Sequence, residues 1–156
     1  MTVATDINIE LQEVLDGVSN DLFNVELDPL VVKLERDIEK LHADIFLLEM
    51  SPSGDFWEEL AESTAEAKGH AIILEDLGDL LQSLTFGGMS DAIRQRHTTL
   101  GQAVLFFGTE DEKSPFHMTG TKTMPRREHI GLNDIFVDEV LVIDVADYVV
   151  EELKEV

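Results

Sequence analysis

The clearest pattern of apolar and polar positions lies in residues 29–49. Large aliphatic residues recur there at intervals of three and four, as on one face of a helix: Leu30, Leu34, Ile38, Leu41 and Ile45. Asp28 is of a type that caps helices, and Pro29 suits a first helical position. The pattern predicts a helix over about 29–49, with its apolar stripe packed on a sheet and its end at the turn residues 51–54.

The segments on either side of this helix are less regular. Residues 5–16 alternate loosely and then change period, so that strand and helix both remain open. Residues 55–69 contain many helix-forming residues before Gly69, which predicts a helix with a glycine stop. In residues 76–86 we expect a short helical turn at 78–83 that leads directly into a strand ended by Gly87 and Gly88.

The second half of the chain predicts a strand, a long loop and a final helix. Residues 103–107 are β-rich and are closed by Gly108. We expect this strand to pair with the one before Gly87, which places the polar residues 91–97 in the connection. A loop follows at about 108–131, and loops of that length are usually functional or disordered. Asn133 or Asp134 then caps a helix whose predicted apolar face is Ile135, Phe136, Val140, Ile143, Tyr148 and Val149.

These elements predict an α+β fold. An antiparallel sheet would be packed by the long helix of the N-terminal half and by the C-terminal helix. The length of 156 residues suits a single domain over 1–156. Within it, residues 1–28 form an acidic segment and a candidate assembly arm.

Charge is the second unusual property of the chain. The net charge is −22, and residues 1–63 carry 16 acids against 3 bases, whereas residues 133–156 carry 8 against 1. Between these acidic ends, residues 94–127 carry a local charge of +3. Binding to nucleic acid needs clustered Lys and Arg, so the composition argues against it. An acidic surface can also serve solubility alone.

Several classes of protein and site are excluded or disfavoured by composition. No apolar run approaches the roughly 18 residues of a membrane span. The absence of cysteine excludes disulfides and thiolate metal ligands. The N-terminal stretch is acidic where a signal peptide would be basic, so we expect no secretion by that route.

The sequence offers no recognisable catalytic or cofactor motif. The five histidines show no i, i+4 pair of the zincin type, and adjacent acids such as Glu58 and Glu59 face apart on a helix. Neither a nucleophile elbow, a phosphate-binding loop nor a dinucleotide fingerprint occurs. We therefore expect no catalytic residues, no metal, no cofactor and no enzymatic activity. A small hydrolase using Glu110, Asp111 and Glu112 stays as a minor alternative.

A series of landmarks resembles a known family when it is taken in order. The first half is Phe56-Trp57-Glu58-Glu59-Leu60, Ser63-Thr64, Lys68-Gly69, Ile73-Leu74, Leu77-Gly78-Asp79-Leu80 and Ser83-Leu84. The second half is Phe107-Gly108-Thr109, Phe116-His117, Gly120, Met124-Pro125-Arg126 and Ile130-Gly131-Leu132. Over about residues 56–153 the chain resembles the phage virion morphogenesis family, the tail-completion proteins of tailed phages such as Mu. It departs from that pattern in the adjacency of Phe116 and His117, in Arg127, and in its acidic N-terminus.

The resemblance implies a structural virion protein at the neck or the head-proximal end of a phage tail. Such a protein would be assembled in the host cytoplasm as a homo-oligomeric ring, with a hexamer preferred by analogy. Its partners would be the tail tube and the neck or connector proteins, and DNA would pass through the channel without specific binding. No membrane is involved in this interpretation. The alternative is an acidic DNA mimic that inhibits a nucleic-acid-binding protein, although a mimic has no need of these landmarks.

The candidate interface residues come from the second half of the landmarks: Phe107, Gly108, Thr109, Phe116, His117, Gly120, Pro125, Arg126 and Arg127. Individual residues also have structural interpretations. Trp57 is expected to be a core or interface anchor, and His117 to hold the loop by a hydrogen bond. Arg126 and Arg127 would either clamp carboxylates of a neighbouring subunit or cap a loop within their own chain.

Overall fold

The computed structural model describes residues 25–85 and 90–154 in full and residues 3–10 as backbone. The elements in chain order are β1 (Val3–Glu10), α1 (Asp28–Leu48), α2 (Glu62–Lys68), α3 (Asp79–Thr85), β2 (Ala92–Thr99), β3 (Gln102–Thr109), α4 (Ser114–Thr119), a π-helical turn (Phe136–Leu141) and α5 (Val142–Lys154). The predicted α+β class is confirmed. Of residues 5–16, those up to Glu10 are strand, and the others lie outside the described residues, as does most of the predicted N-terminal arm.

The sheet is antiparallel with the order β1-β3-β2. Thr109 at the end of β3 lies opposite Val3 on one side and Ala92 on the other. The predicted hairpin partner of β3 was wrong, because residues 84–85 belong to α3 and the polar segment before β3 forms β2. That segment can be a strand because Arg94 and Arg96 form ion pairs with Glu39 and Glu35 of α1.

Helix α1 covers one face of this sheet and follows the predicted bounds closely. The predicted cap was wrong: Leu27 occupies the N-cap position, and Asp28 lies in the first turn, where its charge suits the helix dipole. The apolar stripe is buried as predicted, apart from the half-buried Leu41, and it also includes the buried His42. Glu49 ends the helix in the left-handed conformation.

The segment after α1 is helical only over its last part. Residues 56–60 are not helical, because Trp57 donates its backbone N–H to the Glu49 carbonyl at 2.8 Å and buries its ring beside Phe46. The predicted helix over 55–69 is thereby reduced to α2. Its glycine stop is confirmed, since Gly69 adopts φ +78° and caps the last turn.

The C-terminal helix begins at Asn133, whose Oδ1 accepts the Phe136 N–H at 2.6 Å. The π-helical turn then changes the phase of the helix. In a regular helix Phe136 and Val145, nine residues apart, would face opposite directions, yet both are buried. The same shift explains why Ile143, predicted to be buried, is exposed; Ile135, also predicted to be buried, precedes the turn and is exposed as well. Residues of α5 pack on α1, and Tyr148 donates to the Glu26 carbonyl at 2.7 Å.

The core lies between α1, β3, α3 and α5, and its largest fully buried side chain is Phe107. Throughout the described ranges, every helix is too short or too polar to span a membrane.

Candidate functional site: the anchored 110–132 segment

The segment 110–132 replaces the loop predicted at about 108–131, since residues 108–109 belong to β3. It contains helix α4 and is joined to the rest of the fold at its start by Thr109 and near its end by Arg127 and Glu128. At its start, the hydroxyl groups of Thr109 and Ser83 lie 2.7 Å apart and both residues are buried. Ser83 donates to the Leu80 carbonyl, so Thr109 donates to Ser83 while accepting the Asp111 N–H at 3.0 Å. The Thr of Phe-Gly-Thr thus fixes the end of β3 to α3.

The neighbouring Phe107 is held between a ring and a cation. The His42 ring stacks on it at 4.9 Å between centroids, and the Arg94 guanidinium lies 3.6 Å from its centroid. Arg94 also donates to the Gly108 carbonyl and to Glu39, at 3.2 Å each. A buried guanidinium needs such a set of acceptors, and the aromatic face adds a cation–π contact.

A buried serine and histidine hold the middle of the segment. Ser114 Oγ and His129 Nε2 lie 2.9 Å apart, and His129 Nδ1 lies 3.0 Å from the Arg127 carbonyl. The carbonyl can only accept, so Nδ1 carries the proton and Nε2 accepts from Ser114. Burial lowers the pKa of His129 to about 4, which keeps the ring neutral. Although these are the atoms of a nucleophile and a base, both residues are 0% exposed and no substrate can reach them.

The end of the segment is tied to the stretch around Trp57. Arg127 donates through Nε at 3.1 Å and Nη2 at 2.7 Å to the Glu58 carbonyl, and through Nη2 to that of Glu59. Trp57 Nε1 donates to the Glu128 carbonyl at 2.9 Å. Arg127 is buried, so of the two predicted roles it fulfils the one within its own chain.

The expectation for His117 was wrong in its detail. Its Nδ1 is buried without a hydrogen-bond partner among the described residues, and the bond that holds this position is from the Arg127 N–H to the His117 carbonyl, at 2.7 Å. Burial, with the charge of Arg127, lowers the pKa of His117. The loop is held instead by the side chain of His129.

The other candidate residues lie at the surface end of the segment. Phe116 is exposed, and Pro125 is half-buried. Gly120 adopts φ +72°, and a Cβ there would lie 3.0 Å from the Arg126 backbone nitrogen, so the turn requires glycine. Arg126 donates to the Met118 carbonyl and pairs with Glu128.

The predicted interface set is therefore divided by the fold. Phe107, Gly108, Thr109 and Arg127 are buried within the chain, whereas Phe116 and Arg126 are exposed. Most of the local positive charge is also used within the chain. Ion pairs or hydrogen bonds to residues of the same chain are formed by Arg94, Arg96, Lys113, Arg126 and Arg127. Whether the exposed members contact a neighbour stays a prediction.

A cavity of about 790 Å³ lies between this segment and the stretches 58–61 and 74–80. Its walls mix acids with bases, among them Glu58, Glu59, Asp76, Lys68 and Lys113. In the part of the chain that the structure describes, His, Asp and Glu side chains form no group of three that could hold a metal ion.

The clamp by Arg127 can be tested against its neighbour in sequence. We expect Arg127→Met to lower the free energy of unfolding by about 1.5–3 kcal/mol, because the carbonyls of Glu58 and Glu59 lose the charged donor that the buried Arg127 supplies. Arg126→Met is the matched control, and we expect a change within about 0.5 kcal/mol because that side chain is largely exposed. Urea denaturation measures both, and equal effects would contradict the assignment.

Comparison with known proteins relates the chain to a phage. It is 30% identical over 110 residues to Mu-like prophage FluMu G protein 1 of Haemophilus influenzae. The alignment covers 69% of this chain and 66% of that protein, so the chain spans just under two thirds of its relative. No family model matches the chain, and no solved structure matches it either. The likeness indicates a phage-related protein.

Proposed function

We propose that this protein is a structural virion protein of a tailed bacteriophage, which forms a ring around the DNA channel at the neck or the head-proximal end of the tail. The similarity to a Mu-like prophage protein carries the phage assignment. The finer role rests on the resemblance to the tail-completion family.

The contacts between the two halves of the landmarks support a structural role. Trp57 bonds to Glu128, Arg127 to the carbonyls of Glu58 and Glu59, and Ser83 to Thr109. Residues between 26 and 71 positions apart in sequence are therefore joined in one region of the fold. These bonds give a subunit a fixed shape, which assembly requires.

The charge of the chain fits a channel through which DNA passes. Each subunit carries −22, and a ring multiplies this value. A negative wall repels phosphates and so lets DNA slide without binding, over distances of about a Debye length.

An enzymatic role has less support from the site. The one close serine–histidine pair found among the described residues, Ser114 with His129, is closed to solvent. We accordingly propose that the protein is not an enzyme.

The test is to delete the gene in the phage or prophage that encodes the chain and to examine the products by electron microscopy. We expect filled heads and free tails that fail to join, with joining restored by the protein supplied in trans. Mass spectrometry of purified wild-type virions should find the protein in a small, fixed copy number.

Two results would contradict the proposal. Normal virions from the deletion would remove the joining role. A protein absent from virions but recovered with a basic DNA-binding partner, in a complex that salt dissociates, would favour the DNA mimic.

A further inference from the structure

A groove of about 930 Å³ runs along the second half of α1. Its floor is formed by the buried Phe46 and Ile73. At its rims stand two strongly exposed apolar side chains, Leu47 at 78% and Ile72 at 46%. Exposed apolar surface of this kind marks a site of contact with another molecule.

One edge of the groove carries two basic residues. Arg36 and Lys40 lie one turn apart on α1, both are exposed, and neither forms an ion pair with any described residue. They precede Ala43 and Leu47 on the same helix face, at positions i, i+4, i+7 and i+11. Along the helix, this face therefore presents two basic side chains, then a small one, then an apolar one.

The C-terminal helix presents a surface with the complementary properties. Ile135, Ile143 and Val150 are at least half exposed and recur every two turns, since the interval of eight residues includes the π-helical turn. Asp147 and Glu151 lie beside this stripe, one turn apart, and both are exposed. The stripe spans about 22 Å at 1.5 Å per residue.

We propose that the stripe of the C-terminal helix (Ile135, Ile143, Val150) docks into the α1 groove of a second copy of the chain. The helices run antiparallel, because this direction brings Glu151 and Asp147 to Arg36 and Lys40 while Ile143 meets the small Ala43. A contact between two different surfaces of one chain is heterologous, and it builds a ring when the rotation between successive copies closes. This interface rests on the proposed ring and names the surfaces that build it.

Charge explains why the occupant is a second copy. Two chains of −22 repel each other, so a stable contact needs cations such as Arg36 and Lys40, which form no ion pair within the described part of the chain. The groove supplies Arg36 and Lys40 on one edge beside apolar surface, and the helix supplies two acids beside apolar surface. Three acids also line the groove, Glu39, Glu49 and Glu75, but Glu39 is paired with Arg94 and Glu49 accepts the Ile73 N–H. Such complementarity sets the register and suppresses other pairings.

The absence of cysteine makes a specific crosslinking test possible. One chain carries Ala43→Cys, and a second chain, with a different tag, carries Ile143→Cys. The two variants are mixed and treated with a short bismaleimide. We expect crosslinked Ala43→Cys/Ile143→Cys heterodimers to exceed either homodimer by about tenfold. In a homodimer the residue that faces the introduced cysteine is not a cysteine, so no crosslink can form across the interface. Leu100→Cys, exposed in the β2–β3 turn, is the matched control in place of either variant.

A charge exchange tests the register in the same assay. Lys40→Glu should reduce the heterodimer by about tenfold, the effect of losing one close charge pair at an interface. Asp147→Lys in the other chain should restore it. Circular dichroism of each variant confirms that these exposed substitutions leave the fold intact.

Three results would overturn the interface: a heterodimer no more abundant than with Leu100→Cys, homodimers that equal the heterodimer, or no effect of the charge exchange. These outcomes are distinct from failure of the proposed function. If the protein is found at the neck of virions but the thiols do not crosslink, the function stands and this interface is wrong. If the thiols crosslink but the protein is absent from virions, the interface stands and the proposed function is wrong.

Discussion

Replacing Phe107 by alanine is expected to lower the free energy of unfolding by about 3–5 kcal/mol, the range for a large aromatic residue lost from a core. Phe107 is 0% exposed and lies between the His42 ring and the Arg94 guanidinium. Its loss leaves a cavity between β3 and α1 that movement of these two elements cannot fill. It also removes the aromatic face against which the buried Arg94 charge is placed. Chemical denaturation at neutral pH measures the change.

The neighbouring Phe106 provides a matched control. Its side chain points to the opposite face of β3 and is 38% exposed. We expect Phe106→Ala to cost less than half as much as Phe107→Ala. If the two variants were equally destabilised, the assignment of the core face of β3 would be wrong.

Acid is expected to destabilise the protein strongly between pH 6.5 and pH 4. Burial lowers the pKa of both His42 and His129 from 6.5 to about 4. Their unfolded forms take up protons in this window while the folded forms do not, so stability falls as pH falls. Each pH unit in this window costs up to about 1.36 kcal/mol for each histidine. The two histidines together therefore lower the free energy of unfolding by about 4 kcal/mol between pH 7 and pH 5. Above pH 6.5 this contribution is fully present.

The effect has a structural cause that a substitution can isolate. His42 donates from Nδ1 to the Ile38 carbonyl and accepts at Nε2 from the Gly131 N–H, so a second ring proton would face a donor. In His42→Gln the contributions of His129 and of His117, whose pKa is also lowered by burial, remain, so we expect the slope of stability against pH to fall by roughly a third to a half. Urea titrations at several pH values between 5 and 7 give the slopes. This range limits protonation of the many carboxylates, which would change the repulsion within the chain. An unchanged slope would exclude His42 as a titrating group.

The sequence predicts the parts of this fold in which apolar spacing alone decides the structure. The stripe of α1 and the apolar run of β3 are both found where their patterns place them. Strand β2 was missed because arginines are not typical of a sheet face that a helix covers. Arg94 and Arg96 can lie there because they form ion pairs with acids of α1. His42 was detectable in principle, because it lies one turn after Ile38 on the buried face.

The candidate site was predictable in location and not in detail. The landmarks around Thr109, Gly120 and Arg127 do lie in one region, and the fold joins them to Trp57 and Ser83. Which of them are buried depends on contacts between distant segments, as with Ser114 and His129, and no local pattern carries that information. Ile135 and Ile143 were also predicted to be core and are exposed; for Ile143 the reason is the π-helical turn, which the spacing of apolar residues does not indicate.

The π-helical turn divides the C-terminal helix into two halves, and a different buried side chain fixes the orientation of each half. One extra residue in that turn rotates everything after it by about 100° relative to Asn133 and Phe136. Burial of Val145 and Val149 fixes the outer half, and burial of Phe136 fixes the inner half. Deletion of a single residue at this point would restore a regular helix and turn Phe136 and Val145 to opposite sides, so that only one half could keep its buried face. The length of this one turn therefore couples the packing of the core to the alignment of Ile135 with Ile143 and Val150 in the proposed contact surface.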